Sequence, residues 1–240
     1  NVDFCYNEVW GDEDQFKDLY TIIKTNDMNS NHTLKSIFAA YMNYECSNRE
    51  FNIPGVLLTD AVIFALGGAH LELGDHMLCR EYFPSQDVKM SPALKTLIVR
   101  YYDFMTAYQN LLRGESSKAE VQVEVVSTAT RKVPFNNWPP KEASVTTYAK
   151  KIGGRTIINF LNFRTVDNLS WRDLKGTRPA PAKVIKSPVK IKYDAKATKV
   201  WVASPDQHAG AAQELAFTQE NGYISVVLPS LEYWTMLVIE

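Results

Sequence analysis

The stretch Tyr6-Asn7-Glu8-Val9-Trp10-Gly11 puts a carboxylic acid at the end of a short aromatic and β-branched run. Val2, Phe4 and Tyr6 alternate with Asp3, Cys5 and Asn7, the period of a strand, and Gly11 stops it. A carboxyl beside Tyr6 and Trp10 at such a strand end is expected to be partly desolvated. In that setting it can hand a proton to a leaving oxygen near neutral pH. The alternative is a helix-entry glutamate paired with a lysine or with backbone amides.

Two further sets of polar residues follow apolar runs. His70 and Glu72 share one face of a strand, and Asp75 and His76 open the loop after it, so four polar side chains crowd one mouth. A metal would want more ligands at fixed spacing, and only His32 and His208 remain elsewhere, so none is expected. Hydrogen bonding to a polyhydroxylated ligand, or a His and Glu that hold the loop, are the two readings. Asn43, Tyr44 and Glu45 form the other set, with loop fixing as its alternative. Arg80, Glu81 and Tyr82 either line the rim or pair internally. No G-x-S-x-G, P-loop or G-x-G-x-x-G pattern is present, which removes support for a hydrolase elbow or a nucleotide, and no cofactor is expected.

The elements that position these groups alternate strand and helix in the first half, the pattern of βα units on a parallel sheet. Asp12 is the expected cap of a first helix, with Gln15 three residues on and Phe16, Leu19, Tyr20, Ile22 and Ile23 as its apolar stripe. LKSIFAAYMNYE reads as a second strand, and a loop from Ser47 to Gly55 leads to a helix begun near Pro54 and stopped by Gly67-Gly68. AHLEL is a third strand. After a polar and aromatic loop, Ser91-Pro92 opens the strongest helix, which Gly114 ends. Each strand carries acidic or amide residues at its C-terminal end, where a (β/α)8 barrel builds its active site. From about Ser116 the period becomes 2: AEVQVEVVST, ASVTTYAKK, GRTIINFLNFR, SPVKIKYD, KVWVAS, QELAFTQ and GYISVVLPS read as strands, with a hairpin turn at Lys151–Arg155 and a long Pro-containing connection over 166–188.

The expected fold is therefore α/β plus all-β. Residues 1–115 are read as the last three βα units of a (β/α)8 TIM barrel, and 116–240 as an antiparallel β-sandwich domain. Three units cannot close a barrel without leaving strand edges unpaired, so five earlier strands are expected upstream and the chain reads as the C-terminal part of a larger enzyme.

Bulk composition narrows the partners. With 26 Lys and Arg against 27 Asp and Glu, the net charge of −1 argues against nucleic acid or an anionic membrane. Aromatic content of 12% suits flat sugar rings as well as a core, and Trp138, Trp171, Trp201 and Trp234 are read as core or interface residues. Cys5, Cys46 and Cys79 fit neither a zinc ribbon nor a disulfide framework and read as buried small hydrophobes. No apolar run reaches the roughly 20 residues a membrane helix needs.

DFCYNEVWG, AAYMNYE and LLTDAVIFALGGAHLELGDHMLCREYFP resemble the C-terminal barrel strands of glycoside hydrolase family 66, which holds dextranases and cycloisomaltooligosaccharide glucanotransferases. The likeness spans about residues 1 to 114, and its sharpest part is HLELGDHMLCREYFP. It implies a retaining mechanism on α-1,6-glucan (dextran and isomaltooligosaccharides), with an aspartate nucleophile after the fourth strand and a glutamate acid/base after the sixth. The Y-x-E-x-W element makes Glu8 that acid/base and puts the nucleophile upstream of this sequence. By position Trp10, Asn43, Glu45, Glu72, Asp75 and His76 are expected to line substrate subsites, with Asp75 and His76 as hydroxyl binders. The family's cyclising members carry a carbohydrate-binding insertion after the seventh strand, whereas Glu45 here lies about nine residues from Pro54, which favours hydrolysis.

The leading expectation is an endo-dextranase whose present portion alone is inactive. The alternatives are a cyclising glucanotransferase and a noncatalytic carbohydrate-binding fragment. A polymeric substrate outside the cell implies an extracellular or periplasmic site of action.

Overall fold

Strands and helices alternate through the first half of the chain. In the computed structural model, which describes residues 2–9, 11–71, 79, 88–114 and 119–240, β1 (Cys5–Val9) is followed by α1 (Phe16–Asn29), β2 (Ser36–Ala40), α2 (Ile53–Ala65), β3 (Ala69–His70), α3 (Pro92–Ala107) and α4 (Gln109–Leu112). Trp10, Glu72, Asp75, His76, Arg80, Glu81 and Tyr82 lie outside the described residues. The strands pair in parallel in the order β1-β2-β3, as expected when a helix carries the chain back between successive strands.

Local chemistry sets the helix ends. The first helix starts later than Asp12 suggests: Gln15 is its N-cap, and the Gln15 amide donates to Asp18 Oδ2 at 2.9 Å. Asn52 caps α2 by accepting from the Gly55 amide at 2.7 Å, and Ser91 caps α3 by accepting from the Leu94 amide at 3.2 Å. Every residue of α2 from Gly55 to Ala65 is buried, so this helix is apolar all round, as a central helix must be. The helix expected to run to Gly114 breaks at Tyr108, where α3 gives way to α4. The second strand is shorter than LKSIFAAYMNYE predicts and ends at Ala40.

The chain divides into two compact units. The first comprises residues 1–117 together with 168–180, and the second residues 118–167 and 181–240. Part of the long connection, Asn168–Ala180, thus folds with the βα elements and not with the strands that flank it in sequence.

The second unit contains β4 (Glu120–Val121), β5 (Val125–Ser127), β6 (Phe135–Asn137), β7 (Val145–Ile152), β8 (Arg155–Asn162), β9 (Ser187–Lys192), β10 (Val200–Ala203), β11 (Gln213–Glu214), β12 (Phe217–Glu220), β13 (Tyr223–Leu228) and β14 (Trp234–Ile239). One sheet runs β11-β10-β14-β8-β7-β4, with β6 added parallel to β7, and a second runs β12-β13-β9-β5. Val145, Ile158, Phe160 and Leu237 of the larger sheet share one core with Val189, Ile191, Ile224 and Val226 of the smaller. The β7–β8 hairpin turns at Gly153 and Gly154, whose φ of +52° and +83° match the primed turn such a two-residue loop requires.

Candidate active site

The two faces of the parallel sheet differ. On β1, Asn7 accepts at Oδ1 from the Asn26 amide of α1 at 3.0 Å, so the Cys5, Asn7 and Val9 face turns toward the helices. Alternation then puts Tyr6 and Glu8 on the opposite face, aligned in register with Ile37 and Ala39 of β2. Glu8 stands at the C-terminal end of its strand, and its Oε1 accepts from the Tyr6 hydroxyl at 2.8 Å. Both side chains are exposed, Tyr6 by 48%. The desolvation expected around Glu8 is therefore not supplied by the described residues.

His70 belongs to the other face. It is 1% exposed, and its Nε2 lies 3.0 Å from the Ala40 carbonyl while Nδ1 lies 2.8 Å from Asp60 Oδ1 of α2. A carbonyl only accepts, so Nε2 carries a hydrogen and a proton is shared between Nδ1 and Asp60. This pair ties β3 to α2 and to the end of β2. His70 is thus engaged on the helix-facing side, while Glu72 and the loop that the two were read as holding lie outside the described residues.

Asn43 is likewise a structural residue. It is fully buried, its Nδ2 donates to the Asp173 carbonyl at 2.6 Å, and its Oδ1 accepts from the Asn52 amide at 2.9 Å. The expectation that Asn43 faces a sugar gives way to the loop-fixing alternative. Glu45 is exposed, with its amide donating to the Leu174 carbonyl at 2.9 Å. Among the described residues no group of three or more His, Cys, Asp or Glu side chains could hold a metal ion, and no helix is long and apolar enough to cross a membrane. Cys79 is buried as expected, but Cys5 and Cys46 are only half-buried.

A segment of the connection completes this region. Trp171 is fully buried, and its indole Nε1 donates to the Glu13 carbonyl at 2.8 Å. Arg172 stacks on the Trp171 ring at 4.4 Å, and its Nη1 donates to the carbonyls of Val9 and Tyr41 at 3.1 and 3.3 Å. Burial lowers the Arg172 pKa from its ordinary value, while Tyr44, Asp14 and Glu13 raise it. The turns after β1 and β2 are thus clasped by one strap, Trp171 to Arg178. In the sequence this strap looks like an ordinary polar connection, and its one signal is a Trp-Arg-Asp run where solvent-facing residues would suffice.

The sequence profile of Glycosyl hydrolase family 66 matches residues 1–238. The chain belongs to glycosyl hydrolase family 66. It is 32% identical to a cycloisomaltooligosaccharide glucanotransferase of Niallia circulans, over 79% of this chain and 20% of that protein. It is 27% identical to the dextranase of Streptococcus salivarius, over 99% of this chain and 35% of that protein. A solved Paenibacillus sp. cycloisomaltooligosaccharide glucanotransferase, complexed with cycloisomaltoheptaose, superposes with a TM-score of 0.82 at 19% identity, covering 99% of this chain and 52% of that one. This family 66 chain therefore spans between a fifth and about a third of the length of these curated relatives.

Proposed function

We propose that these residues are the C-terminal part of a retaining endo-dextranase acting on α-1,6-glucan, with Glu8 as acid/base and the nucleophile supplied by residues outside this sequence. The observation that carries the reading is the place of Glu8, at the C-terminal end of a parallel strand, on the face turned away from the helices, with Oε1 on the Tyr6 hydroxyl. In this reading β1, β2 and β3 are strands six to eight of a (β/α)8 barrel, whose active site forms at that end of its strands, and the two antiparallel sheets are the appended β-sandwich. The family match and the superposition on a longer family member support it.

The chemistry needs two carboxyl groups about 5 to 5.5 Å apart. An aspartate attacks C1 while the Glu8 acid protonates the departing glycosidic oxygen, leaving a glucosyl ester. The Glu8 carboxylate then takes a proton from the water that attacks C1, and the aspartate leaves. The Tyr6 hydroxyl fixes the Glu8 rotamer, so the same atoms reach the leaving oxygen in the first step and the water in the second. We assign Glu45, which is exposed, together with Trp10, Glu72, Asp75 and His76 to the substrate subsites, with Asp75 and His76 as the hydroxyl binders. The 240 residues alone lack the nucleophile and are expected to be inactive. The substrate is a polymer that does not cross membranes, which places the enzyme outside the cytoplasm.

Between β2 and α2 lie only residues 41–52, with no room for an inserted sugar-binding domain, and this favours hydrolysis. The second reading, a cyclising glucanotransferase, is favoured by the identity of 32% to such an enzyme against 27% to a dextranase. Chromatography of the products from dextran separates the two: linear isomaltooligosaccharides are expected, and cyclic ones would establish the second reading. In the longest natural polypeptide containing these residues, Glu8→Gln is expected to lower dextran hydrolysis by about 10² to 10⁴. Undiminished hydrolysis by that variant would remove Glu8 from the mechanism.

A further inference from the structure

Arg172 joins the ends of the first two strands through its own hydrogen bonds to both. It is 4% exposed. Besides the Nη1 bonds to the carbonyls of Val9 and Tyr41, its Nη2 donates to the Gly11 carbonyl at 3.4 Å. Val9 follows Glu8 directly and Gly11, at φ +69°, turns the chain away from the strand, so two of the three acceptors bracket the exit from β1. The third lies on the neighbouring strand's exit. A planar guanidinium with five donors in a fixed fork can span carbonyls on two strands, whereas an ammonium is a point donor without that geometry.

The strap holds Arg172 in place from its own side. The Trp171 carbonyl accepts from the Thr59 hydroxyl of α2 at 3.2 Å, and the Arg172 carbonyl accepts from the Asn43 amide at 3.0 Å. The strap backbone is therefore held by one helix while the Arg172 guanidinium is bonded to two strand ends, and β1 cannot slide or rotate at Glu8 without breaking those bonds.

We propose that Arg172 is a positioning residue for Glu8: by pinning the carbonyls on both sides of the β1 exit to the end of β2, it sets the reach of the Glu8 carboxyl toward the glycosidic oxygen. The inference rests on the acid/base reading of Glu8. Misplacement of a catalytic group by about 1 Å can lower the rate on the order of 10²-fold.

The test compares kcat/KM for dextran, whose leaving oxygen must be protonated, with kcat/KM for α-isomaltosyl fluoride, whose fluoride leaves without a proton. The longest natural polypeptide is used, as wild type, Arg172→Lys and Glu8→Gln. Arg172→Lys is expected to lower kcat/KM on dextran by about tenfold to a hundredfold and to leave the fluoride value within about threefold. Equal losses on both substrates, or no loss, would overturn the proposal. Glu8→Gln is the control on the underlying reading: it should show the same selectivity more strongly, and if it does not, the assignment of Glu8 fails independently of Arg172. Should Arg172→Lys not fold, Trp171→Phe keeps a ring under the guanidinium and deletes only the indole bond to Glu13. It should show a smaller selective loss on dextran, and a loss equal on both substrates again overturns the proposal.

Discussion

Asn43 combines three demands in one residue. Its φ is +55°, it is fully buried, and its amide both donates to Asp173 and accepts from Asn52. Asparagine tolerates the left-handed region better than most residues, and the buried groups it serves would otherwise lack partners. Asn43→Ala and Asn43→Gly both delete the amide, at about 1–3 kcal/mol, but only glycine relieves the backbone. The alanine variant should therefore be the less stable by about 1 kcal/mol in urea unfolding. Equal stabilities would show that the left-handed conformation is not maintained by the fold. The identity of such a residue is legible in a sequence, but its duty is not: an amide at a strand end looks the same whether it meets a sugar or a backbone carbonyl 130 residues away.

At the scale of elements, Gly55 shows how a helix can be tuned to a neighbour. Replacing a helical glycine by alanine ordinarily stabilises by up to about 1 kcal/mol. Here a Cβ would lie 2.6 Å from Asp173 Oδ2 and 3.2 Å from Asn52 Oδ1. The Asp173 carboxylate is itself engaged, accepting at Oδ1 from the Thr177 amide at 2.9 Å. Gly55→Ala is thus expected to destabilise by about 1–3 kcal/mol, as overpacking does. The loss should shrink when Asp173 is also alanine, and an unchanged loss in that double mutant would mean the strap is not what the methyl meets. Elements with local signals were legible: the Ser91-Pro92 start of α3 and the Gly153-Gly154 turn are written in adjacent residues. The last strand was not. Trp234–Ile239 is apolar except for Thr235 and shows no alternation, because β14 lies between β8 and β10 with all six residues buried.

Across the whole molecule, the chain passes between the two units three times, after residues 117, 167 and 180. The shared core of the second unit contains no residue from 168–180. Replacing those thirteen residues by an equal length of Gly and Ser should therefore leave amide exchange in β7, β8 and β14 protected while releasing protection in β1 and β2. Loss of protection in the second unit would show that its stability depends on the strap. The discontinuous first unit was the least legible feature of all, since the partners of Arg172 lie 131 to 163 positions earlier and no local pattern encodes so distant a contact.

That separation has a consequence for how the protein is made. A ribosome adds about 5–20 residues per second, so roughly 8 to 33 s pass between synthesis of Val9 and arrival of the arginine that binds its carbonyl. During that interval the nascent chain already carries β7 and β8 in full, while the strand ends around Glu8 still await their clasp. Of these 240 residues, the strand ends around Glu8 are thus synthesised before β7 and β8 yet completed only when Arg172 arrives.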